Sequence, residues 1–315
     1  SSDLFRSVPL RWTGYTGVGF SRISVNPSLS IIYKLNYAWR FTAHASYKER
    51  YGEMTDLYDR PYQTDYRNSV WNCGILPVYR QQLYSVYGEY KNTAREFFAT
   101  VNLTHNREWY NRIYEQRIEN GQVQRVSLPL SNHGSGYTVK STLSKGFYDL
   151  GLKTSFLALL NISKAEQSSG GQRLPYQYRL MRLEPKVIWT PNRHWETSYQ
   201  TDIRYGGNKI GERTRLAPLW NVTQQVQLSY IFSPIEASLS VDHYHNDVNE
   251  DQSVNAVFAD FSVLWKSRRW QITATATNLF DKRTYAYTRY ASLESYTSWV
   301  RIRPREFLVA IRYRL

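Results

Sequence analysis

The 315-residue chain has a single cysteine, Cys73, which excludes an internal disulfide framework and a cysteine metal cluster. No apolar run approaches the ~18 residues of a membrane-crossing helix, and mean hydropathy is only −0.57. SSDLF offers no initiator Met, no basic n-region and no apolar h-region, as expected of a processed form or an internal piece. Histidine is scarce. None of His44, His105, His133, His194, His243 and His245 has a neighbouring serine or acid whose spacing singles it out for catalysis, so a non-enzyme is expected. These absences leave a membrane barrel open, because its strands show only half their residues to lipid.

Aromatic residues and positive charge are abundant. Tyr occurs 27 times and Trp 10 times, which fits either glycan or peptide contacts or the aromatic girdles of a membrane barrel. The 40 basic and 26 acidic residues leave +14, which calls for anionic neighbours. The cations are spread over many segments and no nucleic-acid motif appears. Lipopolysaccharide or an anionic ligand is therefore the expected neighbour, not nucleic acid.

The decisive pattern is alternation with period two, which puts one set of side chains on each face of a strand. At the carboxyl end Phe307, Val309, Ile311, Tyr313 and Leu315 alternate with Glu306, Arg312 and Arg314. WQITATATNLF, VFADFSVLW, IEASLSV and WNVTQQVQLSYIF repeat the pattern upstream. Continuing to Ser28 gives about 13 strands joined as hairpins. Long polar connections, at 51–81, 164–177, 206–218 and 281–298, alternate with short ones. Aromatics flank the short turns: Trp39 and Phe41, Tyr90 and Phe97, Trp189 and Trp195, Trp265 and Trp270. A soluble sandwich has no need of aromatics along one rim, and no propeller repeat is visible. The expected fold is an all-β transmembrane antiparallel barrel in the outer membrane of a Gram-negative bacterium.

Single-chain bacterial barrels have even strand numbers, whereas here the first and last strands run the same way. Residues 1–315 therefore read as one domain, the carboxyl-terminal part of a larger barrel, with residues 1–27 as a surface loop. The rest would be a complementary amino-terminal polypeptide.

Three stretches resemble TonB-dependent outer-membrane receptors. Asn278-Leu279-Phe280-Asp281 matches that family's N-L-F-D-type motif, and Pro304-Arg305-Glu306-Phe307 its P-R-x-aromatic segment before the terminal strand. Asn72, Leu76, Pro77 and Tyr84 are the nearest matches to its N-x-x-L-x-P-x-x-x-x-x-Y stretch entering a strand. The family usually ends in Phe, whereas this chain ends in Leu315. The resemblance implies a barrel of about 22 strands with a plugged lumen. It also implies energy-coupled uptake of a bulky nutrient such as a siderophore, glycan or peptide. TonB would be engaged through a plug that these residues do not contain, and a surface lipoprotein is a further conceivable partner. The competing classes are a structural or assembly barrel and, less favoured, a barrel phospholipase or protease.

Binding residues are expected in outer loops on the rigid wall. TDLYDRPYQTDYRNSVW supplies Tyr62, Tyr66, Arg67 and Trp71, as an aromatic–arginine surface or as a loop packed on itself. REWYNRIYEQR extends its strand and, by parity, aims Tyr110, Arg112 and Tyr114 inward. TYAYTRY offers Tyr285, Tyr287 and Arg289, as a stacking platform or a protruding hairpin. His243 and His245 share a face, but no carboxylate or cysteine set completes a metal site, so they are expected in a loop without metal. No cofactor is implied. Phe307, Val309, Ile311, Tyr313 and Leu315 are the expected assembly signal.

Overall fold

The computed structural model describes residues 5–6, 23–119, 122–211, 214–215, 218–248, 251–290 and 295–314. Thirteen strands form one antiparallel meander. They are β1 (Ser28–Lys34), β2 (Trp39–Tyr51), β3 (Val78–Asn92), β4 (Phe97–Tyr110) and β5 (Asn132–Phe147). Next come β6 (Leu152–Ser169), β7 (Gln172–Asn192), β8 (Trp195–Ile210) and β9 (Leu219–Phe232). The series ends with β10 (Ile235–Asp247), β11 (Ser253–Lys266), β12 (Trp270–Thr277) and β13 (Glu306–Tyr313).

The register sorts side chains by chemistry. One rung on the outer face reads Ile31, Ala43, Val86, Leu103, Val139, Leu160. Another reads Tyr199, Val226, Val241, Ala259. The inner face carries Thr42, Tyr87, Asn102, Lys140, Leu159 and Arg182 on one rung. Apolar residues stay exposed on the outer face, Phe156 at 38% and Leu160 at 41%, because no second layer covers them. No helix among the described residues is long and apolar enough to cross a membrane.

Aromatic pairs mark both margins of the apolar band. By the short turns Trp39 packs on Tyr90 at 4.8 Å, Trp195 on Tyr230 at 4.6 Å and Trp270 on Tyr313 at 4.7 Å. On the loop side Tyr205 meets Trp220 at 4.9 Å and His105 stacks on Tyr137 at 4.2 Å. Trp220 and Tyr230 lie on one strand, ten residues apart. At ~3.3 Å per residue and a tilt of ~40°, they are separated by about 25 Å along the membrane normal, the height of a barrel's apolar band.

The sheet rolls into a barrel wall. Among the described residues no ladder register joins β1 to β13; β1 pairs with β2 and β13 with β12. Both outermost strands are exposed on both faces, Leu29 at 62% and Ile32 at 56%, Phe307 at 73% and Leu308 at 65%, whereas Val139 in mid-sheet is at 38%. Among the described residues the outer edges of β1 and β13 thus carry no strand ladder.

Three sequence expectations need correction. Residues 164–177 are not a long loop: β6 and β7 run on to Ser169 and from Gln172, joined by Gly170-Gly171 with φ of 57° and 77°. Only glycine takes that left-handed geometry without strain. His243 and His245 belong to β10, not to a loop. Finally, β4 does not continue through residue 117. It stops at Tyr110, and Ile113–Glu119 starts a separate hairpin with Gln122–Leu128.

Candidate functional site

The interior on the loop side holds a connected polar arrangement. Parity brings Tyr79, Gln81, Glu108 and Tyr110 to the inner face of β3 and β4. The Tyr79 and Tyr110 hydroxyls donate to the two Glu108 oxygens, each at 3.0 Å. Gln81 Nε2 and Asn106 Nδ2 also donate to Glu108 Oε1, at 3.2 and 2.9 Å. Four donors hold this carboxylate in one orientation.

Beyond Tyr110 the chain turns. The Asn111 carboxamide fixes the turn, accepting from Val78 N at 2.8 Å and donating to Leu76 O at 2.9 Å. Arg112 then points at the first long loop and pairs with Asp56 at 2.9 Å. Asp56 sits in a 3-10 turn, Met54–Leu57, and accepts from Glu53 N at 2.8 Å. Gly52 permits this close approach, since a Cβ there would lie 2.4 Å from Asp56 Oδ2. The Arg112 guanidinium is 4.8 Å from the Tyr114 ring centroid and that of Arg125 is 3.7 Å from it. Tyr114 is thus held between two cations. Burial raises its phenol pKa, although both arginines pull it down.

Glu115 ties this hairpin to the tip of β6. It accepts from Arg117 Nε at 2.8 Å, Ser168 Oγ at 2.8 Å and Gly171 N at 3.2 Å. The Arg117 hydrogen bond, followed by that from Ser168, holds its carboxyl below the ordinary range. Tyr110, Arg112, Tyr114, Glu115 and Arg125 line one cavity of about 620 Å³.

A second interior cavity, of about 660 Å³, lies further round the wall. Asp202 is bound by two arginines there: Arg182 at 3.1 and 3.0 Å, and Arg204 at 2.6 Å. Its roof is the hairpin Thr284–Tyr290/Ser295–Arg301, folded over the inner face. Asn246 Nδ2 donates to the Tyr285 hydroxyl at 3.0 Å, and Tyr244 packs edge-on against the Tyr285 ring at 5.3 Å. Ala286 is fully buried and Thr288 nearly so.

The structure gathers Tyr110, Arg112 and Tyr114 in the first cavity and places Tyr285 and Tyr287 in the second. Tyr62, Tyr66, Arg67 and Trp71 stay in the outer loop and line neither. Trp71 Nε1 donates to Asp59 O at 2.8 Å, Tyr62 packs edge-on against Tyr58 at 6.0 Å, and Arg67 lies over the exposed Tyr66 ring at 5.3 Å. Arg289 pairs with Tyr296 through the backbone; its side chain and Leu315 lie outside the described residues. His243 faces Gln224 Oε1 at 3.2 Å and His245 faces Asn255 Oδ1 at 2.8 Å, so the two rings have separate partners.

Sequence reading missed Glu108, Arg125, Arg182 and Asp202. Parity gives the face of Glu108, Arg182 and Asp202 but not their cross-strand partners. The N-L-F-D motif also gains a physical role. Asn278 adopts a positive φ of 50° and donates to Lys282 O at 2.8 Å and Arg303 O at 2.9 Å. Its backbone N–H donates to Asp260 Oδ1 at 2.7 Å. One carboxamide thereby clamps both ends of the inward-folded hairpin.

No family model and no curated protein matches the sequence. Among solved structures, the chain is similar to the ferric yersiniabactin uptake receptor FyuA from Yersinia pestis, at 8% identity and a TM-score of 0.47, covering 93% of this chain and 50% of that one. It is similar to the FrpB iron transporter from Neisseria meningitidis at 9% identity and a TM-score of 0.48, covering 85% and 44%. A third is the translocator domain of the autotransporter NalP from Neisseria meningitidis, at 11% identity, a TM-score of 0.27 and 89% coverage of each. The chain spans about half the length of the two receptors. All three of these neighbours are outer-membrane β-barrels.

Proposed function

We infer that the chain is the carboxyl-terminal part of an outer-membrane receptor that takes up a bulky nutrient by TonB-type energy coupling. The observation that carries this reading is the fixed aromatic–arginine–carboxylate cavity on the polar inner face. Arg112, Tyr114 and Arg125 offer cation and stacking contacts to an anionic or glycan ligand. The N-L-F-D and P-R-x-aromatic stretches support the same family. Because β1 and β13 run in the same direction, antiparallel closure requires an odd number of further strands. A complementary amino-terminal polypeptide supplying about nine would complete a 22-stranded, plugged ring, and its plug would engage TonB. Unpaired edges in hydrocarbon are too costly to persist, so the wall as it stands calls for such a partner.

The edges that carry no ladder among the described residues also favour a second reading, a structural barrel within a larger surface assembly. Growth of a strain deleted for this locus, on siderophore-bound iron, glycan or peptide as sole source and with or without TonB, separates the two. Receptor function predicts a TonB-dependent growth defect on one source, restored by the parent chain and not by Arg112→Ala/Tyr114→Ala. Full growth on every source, with a loss of envelope integrity instead, would favour the structural barrel.

A further inference from the structure

The outer face just beyond the aromatic row on the loop side is cationic. Arg107, Ser135, Lys164, Gln177 and Lys209 occupy one rung on β4, β5, β6, β7 and β8. Neighbouring strands are about 4.8 Å apart, so a cation recurs roughly every 10 Å and the rung spans about 19 Å. Arg179, opposite Ile162, adds a charge one rung nearer the membrane. Arg107 Nε lies 3.3 Å from His105 Nε2. Lys164, Arg179 and Lys209 have no ion pair among the described residues. Arg107, Lys164 and Lys209 line one depression of about 480 Å³, together with Glu108, which is held from the inner face, and Glu166, which pairs with Arg173 at 3.6 Å.

Immediately below, His105 stacks on Tyr137, and Tyr84 lies 6.4 Å from His105. Under that shelf is an apolar hollow of about 530 Å³, lined by Leu29, Ile31, Val86, Leu103 and Val139 and deepened where Ala43 and Ala45 replace larger side chains. Along β4 and β5 a cation, the aromatic shelf and the hollow follow one another, and the hollow extends from there towards β1. That order matches an amphiphile with phosphates at one end and acyl chains at the other.

We propose that this outer face is a binding site for a phosphorylated acyl glycolipid of the lipid A type. Phosphates lie on Arg107, Lys164 and Lys209, and an acyl chain fills the hollow. Charge complementarity selects this occupant over a phospholipid. A single phosphodiester engages one cation of a 19 Å rung, whereas a sugar headgroup bearing two phosphates engages two or more. The proposal rests on the apolar face meeting lipid, but not on transport.

The test uses the assembly purified from outer membranes and stripped of lipid in detergent. Binding of lipid A and of phosphatidylglycerol is measured separately by native mass spectrometry. Lys164→Gln/Lys209→Gln should weaken lipid A binding about tenfold or more. Lys164→Arg/Lys209→Arg should retain it, and Lys153→Gln on the inner face of β6 should leave it unchanged. Unaltered lipid A binding by the double glutamine variant would overturn the site, as would equal binding of phosphatidylglycerol by the parent. Oxygen accessibility along β6 reports separately whether the face meets lipid, so failure of the site and failure of the membrane reading are distinguishable.

Discussion

Single side chains hold the loop-side architecture in place, and two are open to direct test. Asn278 closes the inward hairpin through two carboxamide donations to backbone carbonyls. Removing it deletes both hydrogen bonds, a loss of about 0.5–1.5 kcal/mol each. Asn278→Ala should therefore lower resistance to urea in detergent and expose the 284–301 segment to protease, with the thirteen-strand wall intact. Glu115 links the Ile113–Glu119 hairpin to Ser168 and Gly171 through its ionised carboxylate. Its folded pKa is depressed, so its contribution is fully present above the unfolded value of about 4.3 and is lost as pH falls through the lower folded value. Hydrogen exchange at the Gly171 amide should accelerate across that acid window, whereas Glu115→Gln should exchange faster at neutral pH and show little further change.

At the level of strands, each alternating run serves two solvents, and a charge on the wrong face should show it. Phe156 is outward on β6 and Leu157 inward, lining the second cavity. Phe156→Arg should cost about 2–4 kcal/mol near mid-membrane and reduce assembly into the outer membrane, while Leu157→Arg should be tolerated. Folding titrations into lipid vesicles measure both. This element scale is also where the sequence was most legible. Period two in WQITATATNLF or VFADFSVLW fixes face and strand together, because lipid and water enforce it. It fails in 164–177, where both faces are polar beyond the bilayer, so the strands continue without an alternation to mark them. Nor could it show that Arg112 meets Asp56, 56 residues earlier in the chain, because that contact depends on a turn at Asn111 and on loop folding.

For the whole molecule, thirteen strands with a polar concave face, two interior cavities and an apolar exterior form a barrel wall, with no ladder register between the first and last strands among the described residues. The apolar exterior would be unstable in water and is the expected surface in lipid. The most direct measurement is oxygen accessibility of spin labels placed singly from position 155 to 162 on β6, in lipid vesicles. The account predicts a period of two, with maxima at positions 156, 158, 160 and 162 and minima at 155, 157, 159 and 161. A flat profile, or the opposite phase, would contradict it.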